Sequence, residues 1–300
     1  MKKKTYLFTL MAMALTLGSC SDNENGIGGE TSKYITVSTS IGNMTRVATD
    51  EKGGQTFEEG DEISVYAWTG DATVAPETSE RVVNNAINKL TNGSWVSTPQ
   101  MLWKNNRDKH YFIGVYPISA ISDLSAGEYT FDVNKQTESD LLVAVNKDGL
   151  SYNVDEQQTV PLTFTHVMAK LVVNLTYKNQ WGGIPTVEKV VVGNAAKEAT
   201  SNYLTKVVTP STTAKEDFSL PEITENTKYV SVIIPQEDVK QLTIVIGGKN
   251  FVYDNGTPFK LESGKITTVN LEVGRDEIKL GDVKITDWEN GSTFSGEALN

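Results

Sequence analysis

The chain has 300 residues, a length that accommodates about two domains. Its 38 acidic and 27 basic residues give a formal net charge of -11, which argues against nucleic acid as a partner because phosphates would be repelled. One cysteine excludes an intramolecular disulfide and two histidines leave little for a metal site or a catalytic triad, so we expect a non-enzymatic protein with no metal and no cofactor.

The first element is a signal sequence. Lysines at residues 2–4 precede an apolar stretch over residues 6–17, which is shorter than the roughly 20 residues of a membrane-spanning helix. It ends in Leu17-Gly18-Ser19-Cys20, which resembles a bacterial lipobox. We predict a signal peptide over residues 1–19, acylation of Cys20 by groups such as palmitate, and a lipid-anchored flexible tether over residues 20–32. The alternative is an ordinary secretory signal with an incidental cysteine.

The chain beyond the tether has the pattern of β-strands. From Tyr34 onward, apolar and polar residues alternate with a period of two, in segments rich in Val, Ile, Thr and Tyr. Strands are predicted at residues 34–41, 63–68, 111–116, 129–133, 141–145, 160–164, 171–177, 187–192, 229–234, 242–246 and 266–273.

Turn signals separate these strands. Asn92-Gly93, Gly247-Gly248 and Asn255-Gly256 tolerate positive φ and predict hairpins. A helix is expected only at residues 79–90. The pattern therefore predicts an all-β fold of two tandem β-sandwich domains, an N-terminal one over residues 33–165 and a C-terminal one over residues 166–300.

Few side chains are candidates for chemistry. We expect His110 and His166 to have structural, hydrogen-bonded roles. The acidic cluster at residues 58–62 is interpreted as a solvated turn, with the carboxylate pair of a surface glycoside hydrolase as the alternative. The five tryptophans are interpreted as core or interface anchors, with stacking on sugar rings as the alternative.

A series of motifs follows the lipobox in a characteristic order. It consists of Thr45-Arg46, Phe57-x-x-Gly60-Asp61-x-Ile63-x-Val65-Tyr66-Ala67, Trp103-Lys104, YFIGVYP at residues 111–117, DLLVA at residues 140–144, Phe164-Thr165-His166-x-x-Ala169-Lys170-Leu171 and Ile285-Thr286-Asp287-Trp288. In combination these motifs resemble the fimbrillin family, the pilin lipoproteins of Bacteroidales that form type V pili.

The resemblance implies a fold and a function. It implies transthyretin-like β-sandwich domains, a fimbrial subunit or fimbria-associated tip and adhesive role, and export to the outer membrane and cell surface. It supplies no catalytic residues. The partners it implies are other pilin subunits, the outer membrane through the lipid anchor, and host proteins or glycans.

The resemblance also implies a maturation step. In this family a protease cuts after an arginine, which removes the lipid and the first strand, and a strand from the next subunit fills the groove. The matching position is the bond between Arg46 and Val47. The alternatives are that Arg46 is an ordinary surface arginine, and that the chain is a monomeric surface glycan-binding lipoprotein.

Overall fold

The computed structural model describes residues 33–42, 56–153, 158–254 and 256–288. Cys20, Arg46 and Val47 lie outside these ranges. Within them, the chain forms nineteen strands, numbered in chain order: β1 Thr36–Ile41, β2 Glu62–Thr69, β3 Arg81–Thr91, β4 Ser94–Thr98, β5 His110–Tyr116, β6 Gly127–Thr130, β7 Leu142–Leu150, β8 Thr159–His166, β9 Ala169–Tyr177, β10 Val187–Ala196, β11 Glu198–Asn202, β12 Val207–Pro210, β13 Lys215–Ser219, β14 Glu222–Thr224, β15 Lys228–Ile233, β16 Gln241–Ile246, β17 Lys249–Asp254, β18 Lys265–Val273 and β19 Ile278–Asp287.

These strands form four sheets, which confirms the all-β prediction. The largest has seven strands in the order β1-β8-β7-β5-β2-β3-β4, and the others have the orders β13-β10-β16-β17, β12-β11-β6 and β14-β15-β9-β18-β19. All eleven strands predicted from the sequence are present. No helix in the described part of the chain is long and apolar enough to cross a membrane.

Two local predictions are wrong. Of residues 79–90, all but the first two belong to β3 rather than to a helix. The positive φ at Asn85 and the register shift opposite it interrupt the period-two alternation, which made the apolar spacing resemble that of a helix. Asn255 itself lies outside the described residues; among those that are described, β17 pairs with β16 and β18 pairs with β9 and β19, so these two flanking strands do not form the predicted hairpin. The turns at Asn92-Gly93 and Gly247-Gly248 have positive φ and close the β3–β4 and β16–β17 hairpins as predicted.

The seven-stranded sheet separates two hydrophobic cores. On one face of β2, Ile63, Val65 and Ala67 pack into the first core, whose other members come from the β1 segment, β3, the chain after β4, β5, β7 and β8. On the opposite face, Tyr66 and Trp68 join the second core, which extends through the three other sheets. β2 is therefore buried on both faces from Ile63 to Trp68, and five of these six residues are apolar or aromatic.

The two halves of the chain are joined by a shared sheet. β6, which precedes residue 165, pairs antiparallel with β11, which follows it, from Glu198↔Thr130 to Ser201↔Gly127. The division into domains at residues 33–165 and 166–300, and their transthyretin-like character, remain predictions.

Candidate functional site

The strand that family resemblance marks for removal is β1, at the edge of the seven-stranded sheet. It pairs in parallel with β8, from Thr36↔Thr159 to Ile41↔Phe164. On its other side, the residues before β1 are tied to the chain after β4: Ile35 N–H donates to the carbonyl of Met101 at 2.9 Å. β1 therefore enters the fold between two other segments, and it is the first strand of the described chain.

The inward face of β1 is apolar. Ile35, Val37 and Ile41 are only 2%, 6% and 8% exposed and belong to the first core. Burying an aliphatic side chain contributes roughly 1.5–3 kcal/mol, so burial of these three residues stabilises the attachment of β1 by several kcal/mol. The structure confirms that the alternating residues predicted for this strand face the interior.

The outward face of β1 carries hydroxyl groups. Thr36 Oγ1 lies 3.2 Å from Thr159 Oγ1, and Ser40 Oγ donates to Thr163 Oγ1 at 3.2 Å. Both pairs are exposed to solvent, so each contributes little to stability compared with the apolar face. Attachment of β1 thus depends more on its backbone pairing and its inward side chains than on these outward hydroxyl groups.

Beside β1, between it and β4, the surface opens into a cleft of about 680 Å³. This cleft is distinct from the apolar groove that β1 itself fills. The indole of Trp95, on β4, reaches across it, and Trp95 Nε1–H donates to Thr39 Oγ1 at 3.0 Å. Phe57 packs edge-on against both Trp95 and Phe164, with ring centroids 5.3 and 5.1 Å apart. The described residues on either side of Arg46 meet here, because Ile41 and Thr56 both line this cleft.

His110 has the structural role predicted for it. It is fully buried, its Nε2 accepts from the Lys104 N–H at 3.0 Å, and its Nδ1 lies 3.1 Å from the carbonyl of Asp108. Burial lowers the pKa of this imidazole, so the ring is neutral at pH 7 with its proton on Nδ1. The ring therefore joins the loop before β5 to the strand.

His166 brings two of the sequence motifs together. Its Nδ1 lies 2.9 Å from Asp140 Oδ1 in a buried pair, and its ring stacks on Trp288 at 3.9 Å with an interplanar angle of 6°. Lys170 Nζ lies 5.3 Å from the centre of the same indole, and burial lowers the pKa of this lysine. The end of β19 is thereby attached to the connection between β8 and β9.

The acidic cluster at residues 58–62 is a turn, as predicted. Asp61 Oδ2 accepts from the Glu58 N–H at 2.7 Å, Glu59 Oε1 accepts from the Asn92 N–H at 2.6 Å, and Glu62 pairs with Lys89 at 3.1 Å. These carboxylates are bonded to the turn and to the β3–β4 hairpin. Their contacts support the position of Trp95 at the start of β4.

The tryptophans serve mainly as anchors. Trp68 and Trp103 are 2% and 8% exposed, and Trp181 Nε1–H donates to the carbonyl of Val273 at 3.0 Å. Trp95 and Trp288 make the contacts described above. These contacts explain the tryptophans through packing and do not favour the glycan-binding alternative.

The candidate site is thus an edge strand seated in an apolar groove, an arrangement typical of proteins that associate by strand addition. A sequence profile described as Fimbrillin-like matches residues 45–288. The chain therefore belongs to the fimbrillin-like family, as the sequence motifs indicated. Membership of this family agrees with the prediction of a non-enzymatic protein.

Individual relatives show the same likeness. A candidate fimbrium subunit, Fim1C, of Bacteroides uniformis is 25% identical over 325 residues, covering 99% of this chain and 100% of the relative. Crystal structures of candidate cell adhesion proteins from Bacteroides uniformis and Bacteroides ovatus match with TM-scores of 0.65 and 0.62, each 18% identical. They cover 86% and 87% of this chain, and 100% and 99% of their own. At this identity they show the shared fold.

Proposed function

We propose that this chain is a structural subunit of a surface fimbria, either a pilin or a fimbria-associated tip protein, and that it assembles with other pilin subunits by strand exchange. Family membership supports the fimbrial role. The observation that carries the exchange step is the position of β1, an edge strand that fills an apolar groove and directly precedes the candidate cleavage site at Arg46 and Val47.

Cleavage after Arg46 would separate β1 from the rest of the fold. The fragment would then be held without a covalent link, by its pairing with β8, the backbone contacts of residues 33–35 with the segment after β4, the hydrogen bond from Trp95 to Thr39 and its buried aliphatic side chains. Once it leaves, β8 becomes an exposed strand edge above an open core, which favours pairing with a strand from another chain. The proposed partners are therefore other subunits of the fimbria.

Cleavage at Arg46 is expected to create a groove that accepts a free strand. An arginine-specific protease should give a new N-terminus at Val47, and the cut chain should then bind a labelled peptide copying residues 33–42. N-terminal sequencing and size-exclusion chromatography measure the two steps. The Arg46→Gln chain is the control and should neither be cut there nor bind the peptide. A cut chain that retains β1 and ignores excess peptide would contradict strand exchange.

We further propose that the precursor is an outer-membrane lipoprotein acylated at Cys20. Replacing Cys20 with alanine should abolish incorporation of labelled palmitate and move the protein out of the membrane fraction, because a thiol is needed for the acyl anchor. Ser19→Ala leaves the thiol in place and serves as the control. Unchanged membrane association of the Cys20→Ala protein would refute the lipid anchor.

A further inference from the structure

The groove that holds β1 makes different demands at its four inward positions. Along the strand, Ile35, Val37 and Ile41 are buried aliphatic residues. Thr39 lies on the same face, between Val37 and Ile41, and is the exception. Its hydroxyl accepts the hydrogen bond from Trp95 Nε1 at 3.0 Å.

Trp95 also has contacts outside β1. Its ring meets Phe57 edge-on at 5.3 Å, and the β3–β4 turn next to it is bonded to Glu59. The indole N–H is a donor only, and in a partly buried position it favours an occupant that supplies an acceptor. The groove therefore presents this N–H to whichever strand occupies the position of Thr39.

We propose that the groove under β1 selects its occupant through Trp95, and that it accepts strands with the inward pattern aliphatic, aliphatic, oxygen acceptor, aliphatic. Ile35, Val37, Thr39 and Ile41 fit this pattern in the precursor. This inference rests on the proposed function, since it concerns the strand that replaces β1. It defines the partner as an extended segment of another protein that carries a serine or threonine between aliphatic residues.

The chain's own C-terminal strand does not have this pattern. β19 is an edge strand with partly exposed apolar residues, which makes it the obvious candidate for exchange between identical copies. Its run Ile278-x-Leu280-x-Asp282 continues with Lys284, and its run Val283-x-Ile285-x-Asp287 continues with Glu289.

Both runs place a charged residue at the last position, where Ile41 is only 8% exposed. An unpaired charge is poorly tolerated in such a site. No run of β19 fits in the reverse direction either. β19 of a second copy therefore does not suit the groove, and the proposal places the incoming strand on a different subunit.

The first test uses the full chain and does not depend on cleavage. Thr39→Val keeps the shape of the side chain and removes the acceptor, so hydrogen exchange of residues 36–42 should become about tenfold faster. Thr39→Ser retains the hydroxyl and should change exchange less than threefold. Ser40→Ala, which removes an outward hydroxyl from the same strand, is the matched control and should have a similarly small effect. In a Trp95→Phe background, Thr39→Val should cause no further increase.

The second test uses the chain cut after Arg46. A peptide copying residues 33–42 should bind about tenfold more tightly than its Thr39→Val version, and a peptide copying residues 278–288 should not bind. Equal effects of Thr39→Val and Ser40→Ala, or an unchanged Thr39→Val effect in Trp95→Phe, would overturn selection by Trp95. Homo-oligomers of the cut chain through β19 would overturn the foreign partner. If no peptide binds at all, the proposed exchange fails, whereas the full-chain test still decides the role of Trp95.

Discussion

Replacing Tyr203 with alanine is expected to lower the free energy of unfolding of the whole chain by about 3–5 kcal/mol, the usual cost of removing a fully buried aromatic ring. Tyr203 lies at the tip of the β11–β12 hairpin, is 2% exposed, and its N–H donates to the carbonyl of Leu124 at 2.9 Å. Burial raises the pKa of its phenol to about 12. Its ring covers Gly127, where a Cβ would come within 2.6 Å of the ring.

This position makes Tyr203 a contact between the two halves of the chain. Its hairpin follows residue 166, whereas Leu124 and Gly127 precede it, and β11 continues the contact by pairing with β6. Loss of the ring should therefore lower a single melting transition, by roughly 10 °C, rather than that of one half alone.

Calorimetry and chemical denaturation measure this effect. Tyr203→Phe should recover most of the stability, since it restores the ring. Val207→Ala lies on the same hairpin at a position that is 54% exposed, and it should change stability by less than about 0.5 kcal/mol. If Tyr203→Ala instead gives two melting transitions and lowers the temperature of only one, the halves unfold independently and the contact made by this hairpin contributes little to the stability of the whole chain.

The sequence predicted the strands that are buried on both faces and those that alternate regularly between a buried and an exposed face. β9 alternates between buried and partly buried residues from Ala169 to Leu175, and β2 is buried continuously from Ile63 to Trp68, so both were recognisable from their local pattern. β19 was missed because Gly281 forms a bulge that shifts its alternation, and because lysines and aspartates occupy its outward face. β13 was missed because only Phe218 of its five residues is buried.

The groove itself could not be read from the sequence. β1 and β8 are adjacent in the sheet, yet more than a hundred residues separate them, and no local pattern specifies such a parallel pairing. The contact of Trp95 with Thr39 depends on that pairing and on the β3–β4 turn. The motifs around His166 and Trp288 were visible as sequence, but their stacking against each other was not.

Replacing Val37 with aspartate is expected to release β1 while the rest of the fold remains intact. Val37 is 6% exposed in the first core, and a carboxylate placed there would lack a partner, which costs several kcal/mol. The other attachments of β1 are weaker, because its outward hydroxyl pairs are exposed and, within the sheet, β1 pairs with β8 alone. The loss is therefore comparable to the whole energy that seats the strand.

Hydrogen exchange resolved along the chain measures this release. In Val37→Asp, residues 36–41 should lose their protection, and the β1-facing amides of β8 should exchange faster, while β9 and β18 keep their protection. The matched control is Ser38→Asp, which adds the same charge to the next residue, on the exposed face. It should leave the exchange of β1 within about threefold of the unmodified chain. If Val37→Asp instead unfolds every sheet together, the fold cannot exist with β1 displaced, and the strand-exchange proposal loses its physical basis.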